Sequence, residues 1–96
     1  DVAGLQSNNF RIFPNPFQSW TELFFELEEE TYINLSIYNL EGQLVRILDD
    51  SKRNKGTHQF SWDGTDQSGM MVPEGIYFAS LRTGDYSSVK KIIHTR

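Results

Sequence analysis

The chain has 96 residues, 38% hydrophobic and 14% aromatic, and carries a formal net charge of −4. That length suits one modest core, and that composition a globular chain rather than a disordered tail. An acidic balance without a basic stripe argues against a nucleic-acid partner, no run reaches the roughly 20 apolar residues of a membrane-spanning helix, and the lack of cysteine removes disulfide and thiolate chemistry.

Residues 1–9 are small and polar and read as a linker. The opening Asp1-Val2-Ala3-Gly4 lacks the charged and then apolar segment of a signal peptide, and a start without Met reads as a piece of a longer protein. Phe10-Arg11-Ile12-Phe13 begins the first strand. Pro14-Asn15-Pro16 then stops any helix, because each proline holds the residue before it in extended geometry. Residues 20–27 alternate, with Leu23, Phe25 and Leu27 on one face and Trp20, Glu22, Phe24 and Glu26 on the other. That period of two marks a half-buried strand.

Glu28-Glu29-Glu30 turns the chain, and residues 31–39 alternate again. Ile33, Leu35 and Ile37 take the core side, while Tyr32, Asn34, Ser36 and Tyr38 face out. After the turn Leu40-Glu41-Gly42, residues 43–49 set Val45 and Ile47 inward against Leu44, Arg46 and Leu48. Residues 50–55 read as a polar loop ending at Gly56, and residues 57–62 as a strand with Phe60 and Trp62 on one face. Residues 76–83, a turn at Gly84-Asp85 and a last strand over residues 86–94 complete the chain. About seven short strands with regular turn signals and no helix predict an all-β, Ig-like or fibronectin-like antiparallel sandwich. Its expected core is Leu23, Phe25, Leu27, Ile33, Leu35, Ile37, Val45, Ile47, Phe60, Trp62, Tyr77 and Leu81.

Trp62-Asp63-Gly64-Thr65-Asp66-Gln67-Ser68-Gly69 concentrates turn chemistry. Glycine supplies positive φ, and Asp and Ser bond back to nearby backbone N–H groups. Trp62 belongs in the core with its indole N–H on a loop carbonyl. Tyr77, two residues beyond Gly75, stands where a tyrosine corner would. Asp63 and Asp66, with Thr65, Gln67 and Ser68 between and after them, are weak candidate metal ligands that could offer oxygens to Ca²⁺. Their spacing lacks the alternating ligands and the twelfth-position Glu of a calcium loop, so turn capping is the preferred reading and no cofactor is expected.

Catalysis finds no footing. His58 and His94 are the only imidazoles, and neither a G-x-S-x-G elbow nor an H-x-x-x-H spacing nor a phosphate-cradling glycine loop is present. Asp49 and Asp50 fall in an expected turn, so the chain reads as non-enzymatic. The Glu26 to Glu30 cluster and the closing Lys90, Lys91 and Arg96 read as a solvated turn and a polar edge strand. Outward Trp20, Phe24, Tyr32 and Tyr38 raise a rival reading, a carbohydrate-binding module. Glu22 and Glu26 would interrupt its flat apolar platform.

In order, Phe13-Pro14-Asn15-Pro16-Phe17, Ile37-Tyr38-Asn39-Leu40-Glu41-Gly42-Gln43-Leu44-Val45-Arg46, Gly56-Thr57-His58-Gln59-Phe60-Ser61-Trp62-Asp63-Gly64, Gly69, Val72-Pro73, Gly75-Ile76-Tyr77-Phe78 and Lys90-Lys91-Ile92-Ile93 cover residues 10–96. This series resembles the C-terminal sorting domains of type IX secretion cargo (type A, Por secretion). It equally resembles the Ig-like domain of the flagellar hook-capping protein. The Lys-Lys-Ile-Ile ending near Arg96 favours the sorting family.

That resemblance implies a Gram-negative cargo, transiently periplasmic and then secreted or held at the cell surface. Its partners would be the outer-membrane secretion machinery, a cell-surface sortase and a preceding cargo domain, with no nucleic acid and no membrane span. Pro14, Asn15, Pro16, Gly42, Trp62, Asp63, Gly64, Gly69, Gly75 and Tyr77 would then be structural. Val89, Lys90, Lys91, Ile92 and Ile93 would recognise the partner, the physical counterpart being β-augmentation of an exposed last strand. A hook-capping structural domain is the alternative, and the carbohydrate-binding module a third.

Overall fold

Alternation of apolar and polar residues resolves into seven strands in the computed structural model, which describes residues 10–84 and 87–95. The expected linker over residues 1–9, together with Asp85, Tyr86 and Arg96, lies outside the described residues. The strands are β1 (Arg11–Phe13), β2 (Thr21–Leu27), β3 (Thr31–Tyr38), β4 (Leu44–Arg53), β5 (Gly56–Trp62), β6 (Gly75–Arg82) and β7 (Ser87–His94). They form a three-stranded sheet, β1-β2-β5, and a four-stranded sheet, β4-β3-β6-β7. Every pairing between these strands is antiparallel, so the expected all-β Ig-like sandwich is what the chain forms.

The core comes from one face of each sheet. Leu23, Phe25 and Leu27 of β2 meet Ile33, Leu35 and Ile37 of β3 and Tyr77, Ala79 and Leu81 of β6, all buried. Phe10, Phe17, Val72 and Ile92 join them from segments whose periodicity did not announce them. Thr21 is buried too, its hydroxyl donating to the Pro14 carbonyl at 2.6 Å. On the β3–β4 turn, Asn39 Oδ1 accepts from the Glu41 and Gln43 amides, 3.0 and 2.9 Å, and Gly42 takes positive φ.

β4 departs from the expected pattern in two ways, and its neighbour β3 in one. The pairing with β3 slips between Leu35 and Ser36 and again between Ile37 and Tyr38, leaving Leu48 and Val45 without opposite residues. A bulge of this kind reverses which residues face inward. Val45 and Leu48 therefore pack on the core, whereas Ile47, opposite outward-facing Ser36, is 37% exposed and is not a core residue.

The strand also runs on to Arg53, through the stretch read as a loop. Asp49 and Ser51, paired with buried Leu35 and Ile33, line the inner side. There Arg53 donates to both Asp49 oxygens at 2.9 Å and stands 5.3 Å from the Phe60 ring. A self-satisfied polar ladder closes this margin between β4 and β5. Finally, Ser36 is 1% exposed although its position faces out, because it sits mid-sheet between Ile47 and Ser80 and donates to Asn34 Oδ1 at 2.6 Å.

Candidate functional site

The loop after β5 is built from its own carboxylates. Asp63 Oδ1 accepts from the Thr65 hydroxyl at 2.5 Å and its amide at 3.2 Å. Asp66 Oδ1 accepts from the Ser68 hydroxyl, the Ser68 amide and the Met70 amide at 2.7 to 3.0 Å. The Thr65 hydroxyl holds the Asp63 carboxyl below its usual range, and the Ser68 hydroxyl does the same for Asp66. Among the described residues no three acidic or histidine groups converge as metal ligands would.

The loop is laced to β4. Arg46 donates to the Thr65 hydroxyl and the Asp66 carbonyl, both at 2.8 Å, and Gln67 Oε1 accepts from the Ile47 amide at 2.8 Å. Gly69 and Gly75 take positive φ. Gly64 does so for a double reason, because at φ +79° a Cβ would also stand 3.1 Å from His94 Nε2.

Under this loop lies an aromatic cluster. Trp62 is 1% exposed and its indole N–H donates to the Thr65 carbonyl at 2.8 Å. The Tyr77 hydroxyl donates to the Pro73 carbonyl, four residues upstream, at 2.5 Å, and burial raises the phenol above its ordinary pKa. Phe17 lies 5.4 Å from Trp62 and stacks on His94 at 4.7 Å. His94, only 3% exposed, also contacts the Trp62 and Tyr77 rings. By its sequence pattern His94 is an ordinary strand residue. Its shared parity with Ile92, two residues before it, was the signal that it turns inward.

The last strand divides into two halves. Toward its end, the segment after β1 closes the outer edge: Asn15 Nδ2 donates to the Lys91 carbonyl at 2.8 Å and Asn15 Oδ1 accepts from the Ile93 amide at 2.9 Å. The Phe17 amide donates to the Ile93 carbonyl, and Thr95 N donates to the Phe17 carbonyl, at 2.9 and 2.8 Å. Both prolines flanking Asn15 follow cis peptide bonds.

Val89, Lys90, Lys91, Ile92 and Ile93 therefore do not form one free recognition strand. Ile92 is fully buried and belongs to the core, and the edge groups of Ile93 already have partners. Val89, Lys90 and Lys91 remain exposed, and among the described residues no strand pairs with the outer edge before Lys91.

The outer faces of the sheets differ. On the three-stranded sheet, Glu22 accepts from Gln59 and Ser61 at 2.9 and 2.8 Å, and Arg11 stands 5.8 Å from the Phe24 ring centre. The four-stranded sheet shows Leu44, Ile47, Ile76 and Val89 with half-buried Tyr38, Phe78 and Ile93. Cross-strand pairing sets Leu44, Tyr38 and Phe78 in one row. Tyr32 donates to Asp50 Oδ1 at 2.8 Å, a bond that raises its phenol pKa. The outward aromatics are not gathered into one platform: Phe24 belongs to one sheet with Trp20 just ahead of its strand, and Tyr32 and Tyr38 stand at opposite ends of a strand in the other.

Comparison with known proteins places this geometry. The model of the FlgD Ig-like domain matches residues 21–87. The chain belongs to the FlgD Ig-like domain family. It is 36% identical over 45 residues to the basal-body rod modification protein FlgD of Salmonella typhimurium, a stretch covering 47% of this chain and 19% of that protein. The chain thus spans only about a fifth of the length of the curated relatives it matches.

Among solved structures, dimeric latent PorU from Porphyromonas gingivalis is similar at a TM-score of 0.68 and 20% identity, over 90% of this chain and 9% of PorU. FlgD from Xanthomonas campestris is similar at 0.61 and 19%, over 97% of this chain and 74% of that one. Such identities speak for the fold alone.

Among the described residues of this FlgD-type domain nothing assembles acid, base and nucleophile. His58, bonded through Nε2 to the Asn54 carbonyl at 2.8 Å, lies on β5, apart from buried His94 at the end of β7. Asp49 and Asp50 point to opposite sides of β4, the first to Arg53 and the second to Tyr32. The turn expected to hold that pair is a strand. No helix among the described residues is long and apolar enough to cross a membrane.

Proposed function

We propose that this FlgD-type Ig-like domain is a non-enzymatic structural module of the hook-capping kind, acting outside the cytoplasm by protein–protein contact within a larger protein. Membership of the FlgD Ig-like family over residues 21–87 carries the reading. The apolar outer face of the four-stranded sheet supports it, since adjoining exposed apolar side chains of this kind mark contact surfaces in soluble domains. The Xanthomonas campestris relative is itself described through hook capping essential for flagellar assembly. No metal or other cofactor forms part of the proposal.

Grafting tests it. The chain replaces the Ig-like domain of Xanthomonas campestris FlgD, and the chimaera is expected to sustain flagellar assembly while a Leu44→Asp, Ile47→Asp version does not. Loss of assembly by a folded, stably expressed chimaera would count against the reading. Secretion sorting, with the type IX translocon and a surface sortase as partners, rests on the Lys-Lys-Ile-Ile ending, half of which the fold buries or ties down. A reporter fused ahead of the chain in Porphyromonas gingivalis is expected to remain periplasmic, and its export to the surface would restore the sorting reading.

A further inference from the structure

Where β1 and β7 run side by side as edge strands of their two sheets, they leave a groove of about 700 Å³. Arg11, Phe13, Asn15, Phe24, Lys90 and Lys91 line it. Three observations there are independent of one another. In a chain of net charge −4, three exposed cations gather in one place, and none of them has an acidic partner among the described residues. Phe13 is 72% exposed beside them, with Phe24 behind.

The third observation is the strand edge. Asn15 and Phe17 bond the outward backbone groups of Lys91, Ile93 and Thr95. The two-residue period of a strand puts the N–H and C=O of Val89 on the same outer edge, beyond the reach of that clamp. Nothing among the described residues pairs with them.

We infer that the β1–β7 groove docks an extended acidic segment of a partner polypeptide. Its backbone pairs with Val89, its carboxylates meet Arg11, Lys90 and Lys91, and an intervening apolar side chain covers Phe13. A lipid headgroup or a polyanionic glycan satisfies the cations but has no amide ladder to offer the strand edge, which is why a polypeptide is the occupant. The inference rests on the reading of the domain as a protein-contact module and names the chemistry of one contact.

The test uses the whole chain and a fluorescent hexapeptide, Glu-Val-Glu-Leu-Glu-Val, followed by anisotropy and amide NMR. Binding is expected, with amide shifts concentrated at Arg11, Val89 and Lys90. The variant Lys90→Glu, Lys91→Glu is expected to weaken it by about tenfold or more. The same peptide N-methylated at every residue keeps every charge but cannot extend the sheet from either edge, and it is expected not to bind. That control needs no change to the protein, so misfolding cannot imitate the result.

Equal binding of the methylated peptide overturns the proposal, as does no binding at all. Equally tight binding of heparin or of phosphatidylglycerol vesicles would make the groove a general polyanion site. Self-association of the chain, abolished by Glu28→Gln, Glu29→Gln, would make a second copy the occupant. The graft into FlgD reads a different surface, so failure there and failure here are told apart.

Discussion

The two halves of the last strand lie in one sheet and pair with one neighbour, β6, yet they live in different surroundings. From Lys91 onward, β7 is closed: Ile92 and His94 are buried, and Asn15 and Phe17 bond its outer edge. Before Lys91 it is open, with Val89 60% exposed and no strand alongside. An edge strand is a template for pairing, and proteins commonly cover or charge it. Here both devices appear on one strand, a covering clamp on one half and lysines at the junction. The family match over residues 21–87 stops where β7 begins and omits the clamp segment. The contrast between the halves is therefore built by segments that the family model does not span.

Breaking the closed half should cost most. Ile92→Ala is expected to lose about 2–5 kcal/mol in urea unfolding, because it empties a fully buried site between the sheets. Asn15→Ala should lose about 1–2 kcal/mol, two hydrogen bonds to the strand edge. Amide exchange is then expected to quicken at Ile93, while Tyr77 on the inner strand stays protected. Equal protection at Ile93 in the variant and the parent would show that the clamp is not what closes this half.

Acid reaches the same half through the loop beneath it. Asp63 and Asp66 have lowered pKa values, from the Thr65 and Ser68 hydroxyls, and Asp49 is lowered by Arg53. A carboxylate depressed in the folded state adds stability above its ordinary pKa of about 4, and that stability is lost as pH falls through the depressed value. Thermal melts should therefore hold steady through neutral pH and fall only in acid, by a small amount because these groups are largely at the surface.

The open half should tolerate change. Val89→Ser is expected to move stability by no more than about 0.5 kcal/mol, and a larger loss would mean that something covers it. Added Ca²⁺ is expected to leave the melting temperature where it was. A rise abolished by Asp63→Ala would instead place an ion in the loop.

How much of this was legible depended on whether a residue's surroundings were local. β2 and β3 could be read from their period of two, because each buries one face and their partners follow in register. β4 could not. Its two bulges arise from how β3 pairs with it, and they exchange Ile47 for Leu48 without any mark in the strand itself. Asp49, Ser51 and Arg53 look like loop residues but satisfy one another on the inner side at the margin of the sandwich. The candidate site was half visible. Asn15 and the lysines stood out as sequence features, but the bonds from Asn15 to β7 span 76 and 78 residues, and no local pattern encodes a contact at that separation.

Taken alone, the sequence determined an all-β sandwich, its turn chemistry and most of its core, since these follow from side-chain period and backbone preference. Only the tertiary structure decided which half of the last strand is free. That depends on where the chain's first segment returns relative to its last, and long-range closure of this kind is set by packing and hydrogen bonding between distant segments.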